Sequence, residues 1–121
     1  MSNAAQAYAR TAQTTSSPRE IEAQALLKAA RKLQDAMSNW DHTDAAVNDA
    51  LLFNRKLWSI LLSAVMSDES QQTIEVRQNI ANIGTFVMTQ TAEIQIAPKP
   101  ELLKPLIEIN RNLAAGLSGR A

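Results

Sequence analysis

The chain has 121 residues, and its twelve basic side chains are balanced by twelve acidic ones, so no net charge draws it toward nucleic acid or an anionic membrane surface. It has no cysteine, which excludes a disulfide framework, a thiolate metal site and a cysteine nucleophile. Hydrophobic residues make up 45% but aromatics only 4%, and a mixture rich in Ala, Leu, Ile and Gln favours helices around one domain-sized core.

Residues 1–16, MSNAAQAYARTAQTTS, hold one aromatic, Tyr8, among mostly Ala, Ser, Thr, Gln and Asn. Alone they bury too little apolar surface to offset the entropy of ordering. A mobile arm is therefore expected here, ahead of a single helical domain over residues 17–121. Ala5, Tyr8 and Ala12 do fall at helical spacing, so a groove that received the arm would meet a short helix. On that reading the arm is itself a candidate occupant of the groove.

SPRE is a start signal, with Ser17 as N-cap, Pro18 at the first helical position and Glu20 placed to close a capping box. Such a cap is worth roughly 1 kcal/mol. From there Ile21, Ala25, Ala29, Leu33, Ala36, Met37 and Trp40 recur at steps of three and four, predicting a first helix from Pro18 to about Asn39. WDHTD then offers Asp41, Thr43 and Asp44 as competing caps for a second helix. In it Val47, Leu51, Asn54, Trp58, Leu61 and Val65 make one stripe, and Ala46, Ala50, Phe53, Leu57, Ile60 and Ala64 a second beside it. A helix apolar around so much of its circumference is expected to be the central one.

SDESQQ breaks the pattern and supplies caps at Ser67, Asp68 or Ser70 for a third helix over roughly Gln71–Ile94, with the stripe Val76, Ile80, Ile83, Val87, Thr91 and Ile94. Gly84 inside it costs about 1 kcal/mol against alanine and points to a close helix crossing. APKP ends that helix, because a residue before proline is pushed out of the α region. Pro105 leaves two options for the last helix, a start near Leu102 or a kink, and either Gly116 or Gly119 can cap its end. Four helices with short connections predict an all-α four-helix bundle, most simply antiparallel, although other arrangements of four helices are open.

Two segments share an unusual pair. LLFNRKLWSILLSAV holds Asn54–Arg55 and LIEINRNLAAGL holds Asn110–Arg111, and in both the asparagine falls on the apolar stripe while the arginine is turned about 100° away. A buried amide without partners costs roughly 1–3 kcal/mol. Asn54 and Asn110 are therefore expected to bond each other, or backbone groups freed near Pro105, as a structural polar core fixing the register of helices two and four. The functional alternative puts Arg55, Trp58 and Arg111 in a groove that reads an incoming helix, with Tyr8 as a further partner-binding candidate.

SPREIEAQALLKAARKLQ, LLFNRKLWSILLSAV, VRQNIANIGTFV and LLKPLIEINRNLAAGL, in this order and with AYAR at residues 7–10, resemble the FlaF family of flagellar biosynthesis regulators. The resemblance implies a cytoplasmic, non-enzymatic protein needed for flagellin synthesis and filament assembly, which binds flagellin and works beside the FlbT regulator. The function expected is thus a flagellin-binding secretion chaperone or adaptor. Its alternative is post-transcriptional control of flagellin translation through FlbT or flagellin messenger RNA. Amphipathic flagellin ends that are unpaired before assembly would suit helix-in-groove recognition.

Other chemistries find little here. His42 is the only histidine and lies in the polar connection between helices one and two, short of the three or four ligands a zinc site needs. Glu69, Glu75, Glu93 and Glu108 are scattered on polar faces, and no phosphate-binding loop or nucleophile elbow occurs, so neither catalysis nor a cofactor is expected. Direct RNA binding is not expected either, since Lys28, Arg31 and Lys32 have the spacing of an ordinary exposed face and aromatics for stacking bases are few. No run of about twenty apolar residues and no leader pattern is seen, so a soluble cytoplasmic protein is expected.

Overall fold

A computed structural model of the chain describes residues 17–40, 44–67, 70 and 72–119. They form four helices, α1 (Pro18–Ser38), α2 (Asp44–Met66), α3 (Ile74–Ile96) and α4 (Lys104–Leu117), the last entered through a 3-10 turn at Pro100–Leu103, with no strand among the described residues. Cross-contacts give the directions. Lys32 meets Asp49 and Lys28 lies over the Phe53 ring, so α1 and α2 run antiparallel. Gly84 meets Leu62 while Arg77 reaches the Val65 carbonyl, so α2 and α3 do too. The protein is a small all-α four-helix bundle.

Helix α1 begins where its cap dictates, with the Ser17 hydroxyl accepting the Glu20 backbone N–H at 3.1 Å. Its buried side is Ala23, Leu26, Ala29, Ala30, Leu33 and Ala36, rotated from the expected stripe, since Ile21 stays exposed and Leu26 takes an inner position. Four alanines on that face let a neighbouring backbone come close. Accordingly α1 packs closely against both α4 and α2, and its contact with α4 is the most extensive in the bundle.

This corrects the expectation that α2 is central. Its first stripe, Val47 to Val65, is buried at all six positions. In the second stripe Ala50 is buried and Phe53 and Leu57 half-buried, but Ala46, Ile60 and Ala64 are exposed. The close neighbours of α2 are α1 and α3, and two neighbours cannot cover two stripes.

Helix α3 starts later than expected because Thr73, in extended conformation, takes the cap, its hydroxyl accepting the Val76 N–H at 3.2 Å. Glu75 then sits in the first turn, where a negative charge is favoured. The helix runs on to Ile96, and Ala97, before Pro98, leaves the helical region. A Cβ added at the buried Gly84 would lie 2.5 Å from Leu62 Cδ2, so α3 crosses α2 closely enough that any larger residue would have to displace the Leu62 side chain. At the other end of α3 the Gln90 side-chain amide donates to the Leu102 carbonyl at 3.1 Å, tying α3 to the 3-10 turn.

Pro105 is accommodated by a start rather than a kink. The tighter turn at Pro100–Leu103 leads into α4 at Lys104, which puts Pro105 in the first turn, where a backbone N–H has no intrahelical partner to lose. Gly119, not Gly116, adopts the left-handed conformation at the C-terminus, with φ 71° and its N–H donating to the Gly116 carbonyl.

Candidate functional site

Two places in the bundle depart from simple apolar packing. The first is a polar chain inside the core. Trp58, Asn54 and Asn110 are each 0% exposed. The Trp58 indole N–H donates to Asn110 Oδ1 at 2.9 Å, and Asn110 Nδ2 donates to Asn54 Oδ1 at 2.7 Å. An indole can only donate, and this fixes the direction of the chain. The Asn110 oxygen must face Trp58, its nitrogen therefore faces Asn54, and Asn54 must answer with its oxygen. Asn54 Nδ2 is left pointing away and finds no protein partner.

These bonds join α2 to α4, a pair whose backbones do not pack closely. Side chains alone bridge them. Each bond adds about 0.5–1.5 kcal/mol net, while the orphan N–H of Asn54 costs about 1–3 kcal/mol, so the network contributes more to uniqueness than to stability. Trp58 sits in the core, where its stripe placed it, and not in the groove of the functional alternative. It lines no surface, because an indole with this bond inside the core cannot also meet a partner.

The second place is an apolar groove of about 360 Å³ at the end of the bundle where α1 and α3 begin and α2 and α4 finish. Leu61, Val65, Ile80, Leu113 and Leu117 form its walls, and Glu22, Ser67, Ser70 and Gln72 its polar rim. It stays open because α3 packs closely on α2 and touches the 3-10 turn but does not pack closely on α4. At the same end of the bundle Ile21, Met66 and Ile74 are 60%, 70% and 78% exposed. Large apolar side chains left in water at one end of a bundle mark an interaction surface more often than a stability feature.

Arg77 braces this end. Its Nε donates to the Val65 carbonyl at 2.6 Å and Nη2 to the Ser67 carbonyl, so a cation closes the exposed carbonyl end of α2. The sequence reading did not single out Arg77. The signal was available in the absence of any glycine after Met66 to cap α2, followed by an arginine one turn into the next helix.

The arginines singled out from sequence are not brought together. Arg55 is exposed on α2 and does not line the groove. Arg111 is exposed on α4 and borders a separate shallow cleft with Leu27, Ala30, Arg31 and Gln34 of α1. Tyr8 and His42 lie outside the described residues. Among the described residues no three His, Asp or Glu side chains gather to hold a metal, and no helix is long and apolar enough to cross a membrane.

Fold and site thus define a class, a small all-α bundle with a sealed polar pivot and an open apolar groove among the described residues. Within that class the chain matches the family of flagellar protein FlaF over residues 4–117, nearly its whole length, and it belongs to that family. No curated protein and no solved structure matches the chain.

Proposed function

We propose that this flagellar protein is a flagellin-binding adaptor, which uses the groove to cover the apolar face of a terminal flagellin helix before export. One observation carries the reading: the groove is walled by Leu61, Val65, Ile80, Leu113 and Leu117, and the same end of the bundle leaves Ile21, Met66 and Ile74 exposed. Amphipathic helices bind by laying residues at three- and four-residue spacing into such a groove, and uncovered they aggregate. Family membership supplies the flagellar context.

Control of translation through messenger RNA draws less support from the same residues. Lys28 and Lys32 lie over the Phe53 ring at 5.4 and 5.3 Å, and Lys32 also pairs with Asp49, which engages two of the four basic side chains of α1. A partnership with FlbT would have to use the groove or the α1–α4 cleft beside Arg111.

Co-expression with the cognate flagellin, full-length and lacking its C-terminal helix, tests the reading by size-exclusion analysis. Full-length flagellin should co-elute, the truncated form should not, and Ile80→Glu at the groove wall should abolish the complex without moving the melting temperature by more than a few degrees. A complex that survives both the truncation and Ile80→Glu, or one abolished instead by Arg55→Ala, moves the binding surface elsewhere.

A further inference from the structure

We infer that the groove is also the docking site of the chain's own segment Ala5–Ala12, so that partner and arm compete for one surface. The inference rests on the reading that this groove accepts an amphipathic helix. It deepens that reading by naming the occupant when no partner is present.

Position comes first. Helix α1 starts at Pro18, and Glu22, little more than a turn later, lines the groove. Roughly 6 Å of helix axis separates them at about 1.5 Å per residue. Ser17, to which the preceding chain is joined, therefore lies at the groove's own end of the bundle. Between Ala12 and Ser17 stand Gln13, Thr14, Thr15 and Ser16, a link that spans up to about 13 Å when extended, enough to turn the chain back. Segment Ala5–Ala12 as a helix is about 12 Å long, commensurate with walls built from single turns such as Leu61–Val65 and Leu113–Leu117.

Shape and chemistry agree with position. The segment offers one large side chain, Tyr8, between Ala5 and Ala12 on the same helical face, and its only charge, Arg10, falls on the opposite face toward water. A groove of about 360 Å³ is at the small end of binding cavities, suited to one aromatic ring with small neighbours. Its rim of Ser67, Ser70 and Gln72 provides polar groups for a phenol hydroxyl, which needs a partner once buried. The family match begins at residue 4, so Ala5–Ala12 belongs with the bundle to one matched unit and is not an appended tail.

Tethering makes a weak contact sufficient. A tether of a few residues holds its segment at an effective concentration of the order of millimolar, so an intrinsic affinity in that range half-fills the groove. Occupancy between one half and nine tenths lowers apparent partner affinity by about 2- to 10-fold, and a free partner helix displaces the arm by mass action.

The absence of cysteine gives a clean test in the full chain. A nitroxide on Gln6→Cys should broaden the methyl resonances of Leu61, Ile80, Leu113 and Leu117, and Tyr8→Ala in the same chain should relieve the broadening. Broadening that is absent, or unchanged by Tyr8→Ala, overturns the inference. No flagellin is present, so this result and the co-elution experiment fail independently. Adding a peptide of the flagellin C-terminal helix should then release the arm, and Tyr8→Ala should tighten that peptide by about 2- to 10-fold. Peptide binding that leaves the broadening intact overturns the shared site.

Discussion

The α1–α4 side of the bundle closes on itself, while the α2–α3 end, built from the more apolar helices, stays open. On the first, Ala23, Ala29, Ala30 and Ala36 let two helices close on each other, with Leu26, Leu33, Leu106 and Ile107 filling the space between. At the second, Met66 and Ile74 stand in water, Ile80 and Leu117 are half-covered, and a groove remains. The number of neighbours explains the difference, since α3 has a close partner on one side only. Apolar residues beyond what a helix's neighbours can cover become a surface, and a surface of this kind can be used.

Substitutions in the two regions should separate stability from binding. The largest loss is expected at Trp58→Ala, about 3–5 kcal/mol by chemical denaturation, since a full indole volume and the Asn110 bond vanish together. Next, Asn110→Leu should cost about 2–4 kcal/mol because it strands the Trp58 N–H and the whole Asn54 amide. Asn54→Leu should cost at least about 1 kcal/mol less, because it removes an N–H that is already orphaned. Equal losses at the two asparagines would break the directional account of the network.

Smaller effects follow toward the groove. Gly84→Val should destabilise by about 1–3 kcal/mol through collision with Leu62, and trimming Leu62 to Ala in the same chain should return part of the loss. Arg77→Ala should cost about 1–2 kcal/mol as the end of α2 loses its cation, with faster hydrogen exchange confined to that end. At the bottom of the scale, Arg55→Ala should change stability by less than about 0.5 kcal/mol, and Met66→Ser similarly little, but only Met66→Ser should weaken flagellin binding.

How far the sequence discloses this differs by element. The Ser17 cap, the six buried positions from Val47 to Val65 and the tight crossing at Gly84 were legible, because each rests on local spacing or on one residue's chemistry. The start of α3 was not. Ser67, Asp68, Ser70 and Thr73 all carry capping oxygens within one turn or two, and backbone conformation decides among them. Asn54 and Asn110 declared themselves as polar residues on apolar stripes. That Trp58 would join them, and so orient both amides, depends on the relative height of α2 and α4, which no periodicity encodes. The groove was invisible for a related reason: it exists where α3 fails to close on α4, and a missing contact leaves no mark in the residues that would have made it.

The chain from Trp58 to Asn54 has a further consequence. Were α4 to slip by one turn, Leu106 or Ala114 would stand where Asn110 stands now, and an indole N–H and a whole amide would face hydrocarbon. The correct alignment gains little from these bonds, but every misalignment forfeits them. The three residues therefore act less as an adhesive than as a proofreader, rejecting wrong assemblies of a core whose leucines and alanines would accept many.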